Sequence, residues 1–289
     1  MKSLLINPVL NKEFKLRFRS VKSYIGLAAY LLILGLLTFG IIYLQLENDR
    51  FGAFQSYQSQ WMFIFLSMLQ LALVIFITPG LTAGVISSER EKQTLPILLT
   101  TDQSSSSIIL SKLISSVAFL LVIICSSLPL YMIVFLFGGI SPRMLVLTFL
   151  MYIFTMVVIG AIGVFISTLV RKTIISMVTA YSLAFFLTGG MALLALISLN
   201  YSYMVTTQAF PLPYLISATN IPIMFFYLLE PGFMTELQRI AQMDLSPWIL
   251  FFSFYGVIFV ACLFVAIKKL RPKMKTKPLP QNEYNSRTQ

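Results

Sequence analysis

The chain has 289 residues, of which 58% are hydrophobic and only 11% are charged, and its formal net charge is +11. In soluble domains about a quarter of the residues are charged, so this composition excludes a soluble globular protein and predicts a membrane protein. The chain has no histidine, and its two cysteines, Cys125 and Cys262, lie inside apolar runs, so we expect no metal site, no disulfide and no catalytic residue.

The first 22 residues carry six basic residues and predict an amphipathic helix that lies in the cytoplasmic membrane interface. Asn7 can cap this helix, and Pro8 suits its first position because the missing backbone N–H is not needed there. Apolar side chains recur at helical spacing on one face of this helix, and basic side chains recur on the other. The apolar face consists of Leu10, Phe14, Phe18 and Val21, and the basic face consists of Lys12, Lys15, Arg19 and Lys22. The alternative is a plain basic flank that only orients the chain in the membrane.

Six apolar stretches are long enough to cross a membrane, because a helix needs about 20 residues to span about 30 Å of hydrocarbon. They are Ser23 to Leu44, Trp61 to Ile86, Leu113 to Phe137, Leu145 to Val170, Thr173 to Leu199, and Trp248 to Ile267. None of them contains an acidic or basic residue. The sequence therefore predicts an all-α protein with a six-span transmembrane domain over residues 23–267.

The distribution of basic residues predicts which side of the membrane each connection occupies. With six spans, the N-terminus, the 87–112 loop, the turn at Arg171 and Lys172, and the tail at 268–289 share one side and hold 18 of the 21 Lys and Arg residues. Because positively charged loops stay in the cytoplasm, both termini are predicted to be cytoplasmic. The net charge then reflects topology and anionic membrane lipids rather than nucleic acid. The basic tail is predicted to be disordered.

The 87–112 loop has 26 residues, far more than a turn between two spans needs. Ser88 and Glu91 have the spacing of a capping box, so a short helix is predicted to begin at Ser88. It should end near Pro96, because the residue before a proline disfavours the helical conformation. A serine between Ser104 and Ser107 can cap the third span. An apolar edge favours a docking surface over the alternative of a solvated turn, and it consists of Leu95, Leu98 and Leu99.

Small and polar residues inside the spans predict close packing or a transport pathway. Gly80 and Gly84 lie four residues apart beside Pro79, so the second span is expected to bend and pack closely there; ordinary packing without motion is the alternative. Serine and threonine in membrane helices often bond their own backbone instead of a substrate. The polar residues that could line a pathway are Gln70, Ser126, Ser127, Thr188 and Ser198.

The segment at 200–247 separates the fifth and sixth spans. Its uninterrupted apolar run, Ile221 to Leu229, has nine residues and is too short to cross the membrane. Irregular backbone at membrane depth must be shielded by neighbouring helices. We therefore expect an external, partly re-entrant segment.

Two segments resemble the membrane subunits of the second class of ABC exporters, the type V exporters. "NPVLNKEFKLRFRS", Asn7 to Ser20, is similar to their N-terminal interfacial segment, and "ISSEREKQTLPILLTTDQSSSSIILSKL", Ile86 to Leu113, to their first cytoplasmic loop. The loop shares an E-x-E-x-x-T-L pattern, a leucine pair, a serine-containing turn and a lysine before the third span. The family can carry a long external domain after the first span, whereas this chain has 16 residues there.

The resemblance implies the permease half of an ATP-driven exporter of hydrophobic or amphiphilic substrates such as lipids, peptides or antibiotics, in a bacterial cell membrane. ATP and Mg²⁺ would bind to separate ATPase subunits, since this chain has no G-x-x-x-x-G-K-[ST] phosphate loop. A second copy or a related permease would complete the exporter. In the family, a coupling helix in the first cytoplasmic loop docks on the ATPase, which here implies Ser88, Glu89, Arg90, Glu91, Thr94, Leu95, Leu98 and Leu99.

Two other classes of function are open at this stage. An ion-coupled secondary transporter or channel would need buried charge or an inverted repeat, and the six predicted spans show neither. The other class is a membrane-embedded enzyme or a structural membrane protein. An enzyme would need a group of His, Asp, Glu, Lys or Cys side chains at membrane depth, where the predicted spans hold only two isolated cysteines. An ATP-driven permease agrees best with the sequence.

Overall fold

The computed structural model describes residues 13–15, 17–48, 56–96, 103–136, 140–205 and 210–270. Within these ranges the chain forms helices and their connections, without a β-strand. Five residues, Phe186–Gly190, form a π-helical segment. The α-helices, in chain order, are α1 (Val21–Asn48), α2 (Ser56–Thr82), α3 (Ser87–Glu91), α4 (Ser105–Ser126), α5 (Leu128–Leu136), α6 (Pro142–Leu169), α7 (Thr173–Phe185), α8 (Met191–Val205), α9 (Leu212–Ala218), α10 (Ile221–Leu229), α11 (Gly232–Ala241) and α12 (Pro247–Leu270).

Six helical stretches of the described chain are long and apolar enough to cross a membrane, which confirms the predicted number. They are Tyr24–Leu44, Ser59–Glu91, Ser105–Leu136, Pro142–Leu169, Thr173–Ser202 and Pro247–Leu270. The last stretch ends beyond the predicted limit at 267, so residues 268–270 are helical rather than disordered. The rest of the predicted tail lies outside the described residues.

The third span differs most from its prediction because it begins at Ser105 instead of Leu113. Ser104 caps it, and the Ser104 Oγ accepts a hydrogen bond from the Ser107 amide at 3.2 Å. The helix therefore contains Lys112, whose side chain is buried. The prediction that no span contains a charge is wrong here, because an apolar run stops at a charged residue whereas a helix continues to its cap.

The second, third and fourth spans form the core of the bundle. α6, the fourth span, contacts α2, α4, α7 and α12. In an 18-residue apolar stretch of each span, 67% of the residues are buried in the third span and 56% in the fourth, against 17% in the first and in the sixth and 22% in the fifth. Gly163 permits the close approach of α6 to α2, because a Cβ there would clash with the Thr82 side chain. The first, fifth and sixth spans thus present apolar faces outward.

Most of the polar residues considered for a transport pathway are satisfied inside their own helices. Gln70 is buried in α2, and its Oε1 lies 3.1 Å from the Ser127 hydroxyl oxygen. Backbone bonding, the alternative to a pathway role, is confirmed for four side chains, each of which donates to a carbonyl three or four residues earlier: Ser126, Ser127, Thr188 and Ser198.

The segment between the fifth and sixth spans contains α9 and α10, which meet at an angle of 86°. Asn220 lies fully buried at this corner, and its Oδ1 accepts a hydrogen bond from the Ile223 amide at 3.0 Å to cap α10. The Asn220 Nδ2 donates to the Thr188 carbonyl at 2.5 Å, so the corner is fastened to the π-helical part of the fifth span. The bent pair has the shape of the predicted re-entrant segment, and its position outside the cell stays a prediction.

Candidate coupling site

The short helix predicted in the first long loop is α3, which follows α2 after a single turn. The predicted capping box is wrong, because Ser88 lies inside the helix and its amide donates to the Gly84 carbonyl at 3.0 Å. The N-cap residue is Ile86, whose side chain cannot accept a hydrogen bond. The fourth span supplies an acceptor instead. The Ser167 Oγ accepts hydrogen bonds from the amides of Ile86 at 2.9 Å and Ser87 at 3.0 Å. The start of α3 is therefore fixed to α6.

The fifth span holds the other end of α3. Glu91, predicted to cap its own helix, caps α7 instead: its carboxylate accepts bonds from the Thr173 amide at 3.0 Å and the Thr173 hydroxyl at 2.6 Å. The Ser176 hydroxyl donates to the Ala83 carbonyl, in the turn before α3, at 2.6 Å. α3 and the preceding turn are thus bonded to α7 at two positions.

Glu89 points into the protein and forms an ion pair with the third span. The Lys112 Nζ lies 2.7 Å from the Glu89 Oε1 and 2.8 Å from the Oε1 of Glu13, which belongs to the N-terminal segment. The Lys112 side chain is 2% exposed. A buried ammonium group needs anionic partners, because desolvation disfavours its charged form. These three residues, the ion-pair cluster, join α3, the third span and the N-terminal segment.

Arg17 provides a second link from the N-terminal segment to the bundle. Its Nη2 donates to the Leu81 carbonyl of α2 at 3.1 Å and to the Ser116 hydroxyl of α4 at 2.8 Å. Burial lowers the pKa of the Arg17 guanidinium, and the nearby Glu13 carboxylate partly offsets this by raising it. An arginine keeps its charge in proteins, so Arg17 bonds to both spans as a cation.

The other predicted docking residues divide between the interior and the surface. Arg90 donates to the Thr168 carbonyl of α6 at 3.1 Å, and Leu95 is buried. Leu98 and Leu99 lie outside the described residues. The surface of the turn after α3, which we call the outer turn, consists of the exposed residues Glu91, Lys92, Gln93, Thr94 and Pro96.

The predicted interfacial helix is described over residues 13–15 and 17–22, of which 13–15 and 17–18 are helical. The predicted members Val21 and Lys22 belong to α1 instead. The Phe14 and Phe18 rings stack with their centroids 5.9 Å apart, and Phe18 meets Phe119 of α4 edge-on at 5.5 Å. Lys15 and Arg19 are exposed. The apolar side of this segment thus packs on the bundle while the basic side faces outward. Outside the described residues lie two predicted members of the helix, Leu10 and Lys12.

The glycines at the end of the second span face the fifth span. A Cβ on Gly80 would lie 2.5 Å from the Tyr181 hydroxyl, and one on Gly84 would lie 2.9 Å from the Met177 methyl group. Pro79 lies inside α2, close to the end of the helix at Thr82. The glycines allow α2 and α7 to pack closely next to α3, whereas a hinge motion at Pro79 stays a prediction.

A cavity of about 660 Å³ lies between the second span, the fifth span and α10. Its walls are almost wholly apolar, and the side-chain hydroxyl groups among the lining residues belong to Thr188 and Tyr181. The wall from the second span includes Met68, Leu71 and Phe76, and that from the fifth includes Tyr181 and Phe185.

Several residues of this site were not identified as site residues from the sequence. A helix that begins after the Ser104 cap contains Lys112, so the cap is a local sequence signal for a charged residue inside the third span. The partners of Lys112 gave no such signal, because Glu13 lies 99 residues away in sequence. The same holds for the long-range contacts of Arg17, Ser167, Thr173, Ser176 and Asn220.

Comparison with known protein families gives a match. A family model described as an ABC-2 family transporter protein matches residues 7–267. Comparison with curated proteins gives no significant match. The matched range takes in most of the N-terminal segment, the first five spans, α3 and all but the last three residues of the sixth span.

Proposed function

Since this chain belongs to the ABC-2 transporter family, we propose that it is the permease subunit of an ATP-driven exporter. Separate ATPase subunits bind ATP and Mg²⁺ and dock on the loop at 88–100. The substrate is a hydrophobic or amphiphilic molecule, such as a lipid, a peptide or an antibiotic, which is moved out across the cell membrane.

The attachment of α3 to three spans is the observation that carries this proposal. Glu89 pairs with Lys112 of the third span, Ser167 of the fourth span caps the start of α3, and Glu91 caps the fifth span. A force applied to α3 therefore acts on all three spans at once. Such a rigid connection is what a membrane subunit needs if ATP is hydrolysed on another chain.

Within the described residues of this loop, the outer turn is the part that an ATPase can reach. Glu89, Arg90 and Leu95 are engaged with the rest of the chain, so Glu91 and Thr94 are the exposed ones among the described family-implied docking residues. The exposed residues Lys92, Gln93 and Pro96 complete the surface of the outer turn. Gln93 adopts a left-handed backbone conformation with φ of 56°, which ends the helix and turns this surface outward. We propose that the ATPase contacts this turn and that Glu89 acts as a positioning residue behind it.

The cavity between the second and fifth spans supports a hydrophobic substrate. Its volume of about 660 Å³ is within the usual range for small-molecule sites, and its walls offer almost no hydrogen-bonding groups. A charged or strongly polar substrate would lose its hydration there without compensation. A second copy or a related permease would pack against the exposed apolar faces and complete the pathway.

Lys112 also bears on the alternative of an ion-coupled transporter. Among the described residues, Lys112 is the one charged residue that is buried. Both of its partners are carboxylates at the end of the span near α3, within hydrogen-bonding distance. A group held in this way supports a structural role, so we place the ion-coupled transporter second.

Photo-crosslinking from Lys92 tests the proposed docking. Lys92 is exposed on the outer turn, and Arg239 of α11, which is exposed in the segment predicted to be external, is the matched control. We expect a crosslinker at Lys92 to capture an ATPase subunit that contains a phosphate loop, and the crosslinker at Arg239 to capture none. Capture from neither position, or equally from both, would contradict the proposal.

A further inference from the structure

A second cavity, of about 860 Å³, lies where the outer turn meets the ends of the fourth and sixth spans. Its cationic lining comes from three separate elements: Arg90 from α3, Arg171 after α6, and Lys269 from α12. Its apolar lining includes Leu95, Leu169 and Leu270. We call this cavity the basic cleft.

The three cations of the basic cleft lack a carboxylate partner within the described part of the chain. The ion pairs there join Lys112 to Glu13 and Glu89, and Arg239 to Glu236. The one carboxylate of α3 on the outer turn, Glu91, bonds to Thr173. Like charges gathered without a counter-charge repel one another, and an anion in the cleft would relieve this repulsion.

The Arg90 guanidinium is held in place on one side only. One of its N–H groups donates to the Thr168 carbonyl at 3.1 Å, which leaves other donors for a ligand. Guanidinium groups bind phosphate oxygens through paired, charge-assisted hydrogen bonds. The cleft thus combines a pre-positioned arginine with two further cations.

We propose that the basic cleft binds an anionic phospholipid of the cytoplasmic leaflet, with its phosphate between Arg90, Arg171 and Lys269. The apolar lining favours a lipid over a free phosphate ion, because Leu169, at the end of a membrane-spanning helix, is exposed and offers an apolar surface to an acyl chain. Basic pockets between helices on the cytoplasmic side are suited to anionic headgroups. This site requires the predicted cytoplasmic orientation but not the docking of an ATPase.

Bound lipid would fasten α3 to the ends of the fourth and sixth spans. α3 has its other contacts with the third, fourth and fifth spans, and the sixth span joins this set through Lys269 and the shared headgroup. The lipid would then belong to the connection through which α3 moves the bundle.

Lipid-dependent unfolding of the purified chain in detergent tests the site. We expect added phosphatidylglycerol to raise the unfolding temperature more than phosphatidylcholine does. In the double variant Arg171→Gln, Lys269→Gln this extra rise should disappear, with an apparent affinity for phosphatidylglycerol at least about tenfold weaker, as expected for lost charge-assisted hydrogen bonds. The matched control is Arg143→Gln, Arg239→Gln, which removes the same charge from exposed positions away from the cleft.

Three outcomes would overturn the proposal. The first is an equal response to phosphatidylglycerol in the double variant and the control. The second is equal stabilisation by inorganic phosphate, which would make the cleft a site for a soluble anion. The third is loss of ATPase co-purification from the double variant with its lipid response intact, which would assign the cleft to a protein partner. Unfolding in phosphatidylcholine alone reports whether the variant is folded, and Lys269→Gln by itself, at an exposed position, repeats the test.

Discussion

Lys112 carries its charge inside the third span, eight residues beyond the Ser104 cap, or about 12 Å along the helix axis. One carboxylate partner, Glu13, precedes the first span, and the other, Glu89, lies in α3 at the end of the second. A lysine flanking a membrane helix usually reaches toward water, whereas this side chain is 2% exposed. The ion-pair cluster therefore positions α3 from inside the protein.

Replacing Lys112 by Met removes the charge while keeping a long side chain. Glu13 and Glu89 would then face each other without a cation, so we expect the free energy of unfolding to fall by about 2 to 3 kcal/mol. Denaturant unfolding in detergent measures this change. Lys92→Met, at an exposed position of the outer turn, should change the same quantity by less than about 0.5 kcal/mol. Equal losses in the two variants would show that the cluster does not stabilise the fold.

At the scale of elements, α3 cannot be stable by itself. It has five residues, and isolated helices of this length do not form in water, because the entropy lost in fixing the first turn exceeds the free energy gained from its hydrogen bonds. Its conformation depends on α6, which accepts the free amides at its start, and on α7, which binds Glu91. A short helix supported in this way moves together with its supports.

Ser167→Ala tests this dependence directly. The amides of Ile86 and Ser87 would lose their acceptor, at a cost of about 1 to 2 kcal/mol. We expect amide hydrogen exchange in the peptide containing α3 to become about tenfold faster, because the local opening free energy falls by a comparable amount. Ser182→Ala, at an exposed position of α7, is the control and should leave this peptide unchanged. Unchanged exchange in both variants would mean that α6 does not hold α3.

Elements that depend on local sequence could be predicted here, and contacts between distant residues could not. Hydrophobic length predicts six spans, and the serine run predicts the Ser104 cap. Glu89 and Glu91 were expected to face a partner, yet one pairs with a lysine 23 residues away and the other with a threonine 82 residues away. An amphipathic pattern shows which residues share a face but not which element covers that face.

In the whole molecule, the core spans and the outer spans have different roles in the function that we propose. The second and third spans pack around α6, the fourth span, whereas the first, fifth and sixth spans expose apolar faces. We propose that lipid or a second permease covers these faces. α3 contacts both groups, through Lys112 and Ser167 in the core and Thr173 in the fifth span. A movement of α3 can therefore change how the fifth span packs on the core, next to the apolar cavity.

The distance between the outer turns of two permease copies, measured with spin labels, tests this account most directly. The label replaces Lys92 in a chain whose Cys125 and Cys262 are changed to alanine, and the permease is purified with its ATPase subunits. Adding ATP and Mg²⁺ should shorten the label-to-label distance, because closure of the ATPase subunits draws the two α3 helices together. A distance that is the same with and without ATP, in a complex that hydrolyses ATP, would contradict the central claim that α3 couples this permease to an ATPase.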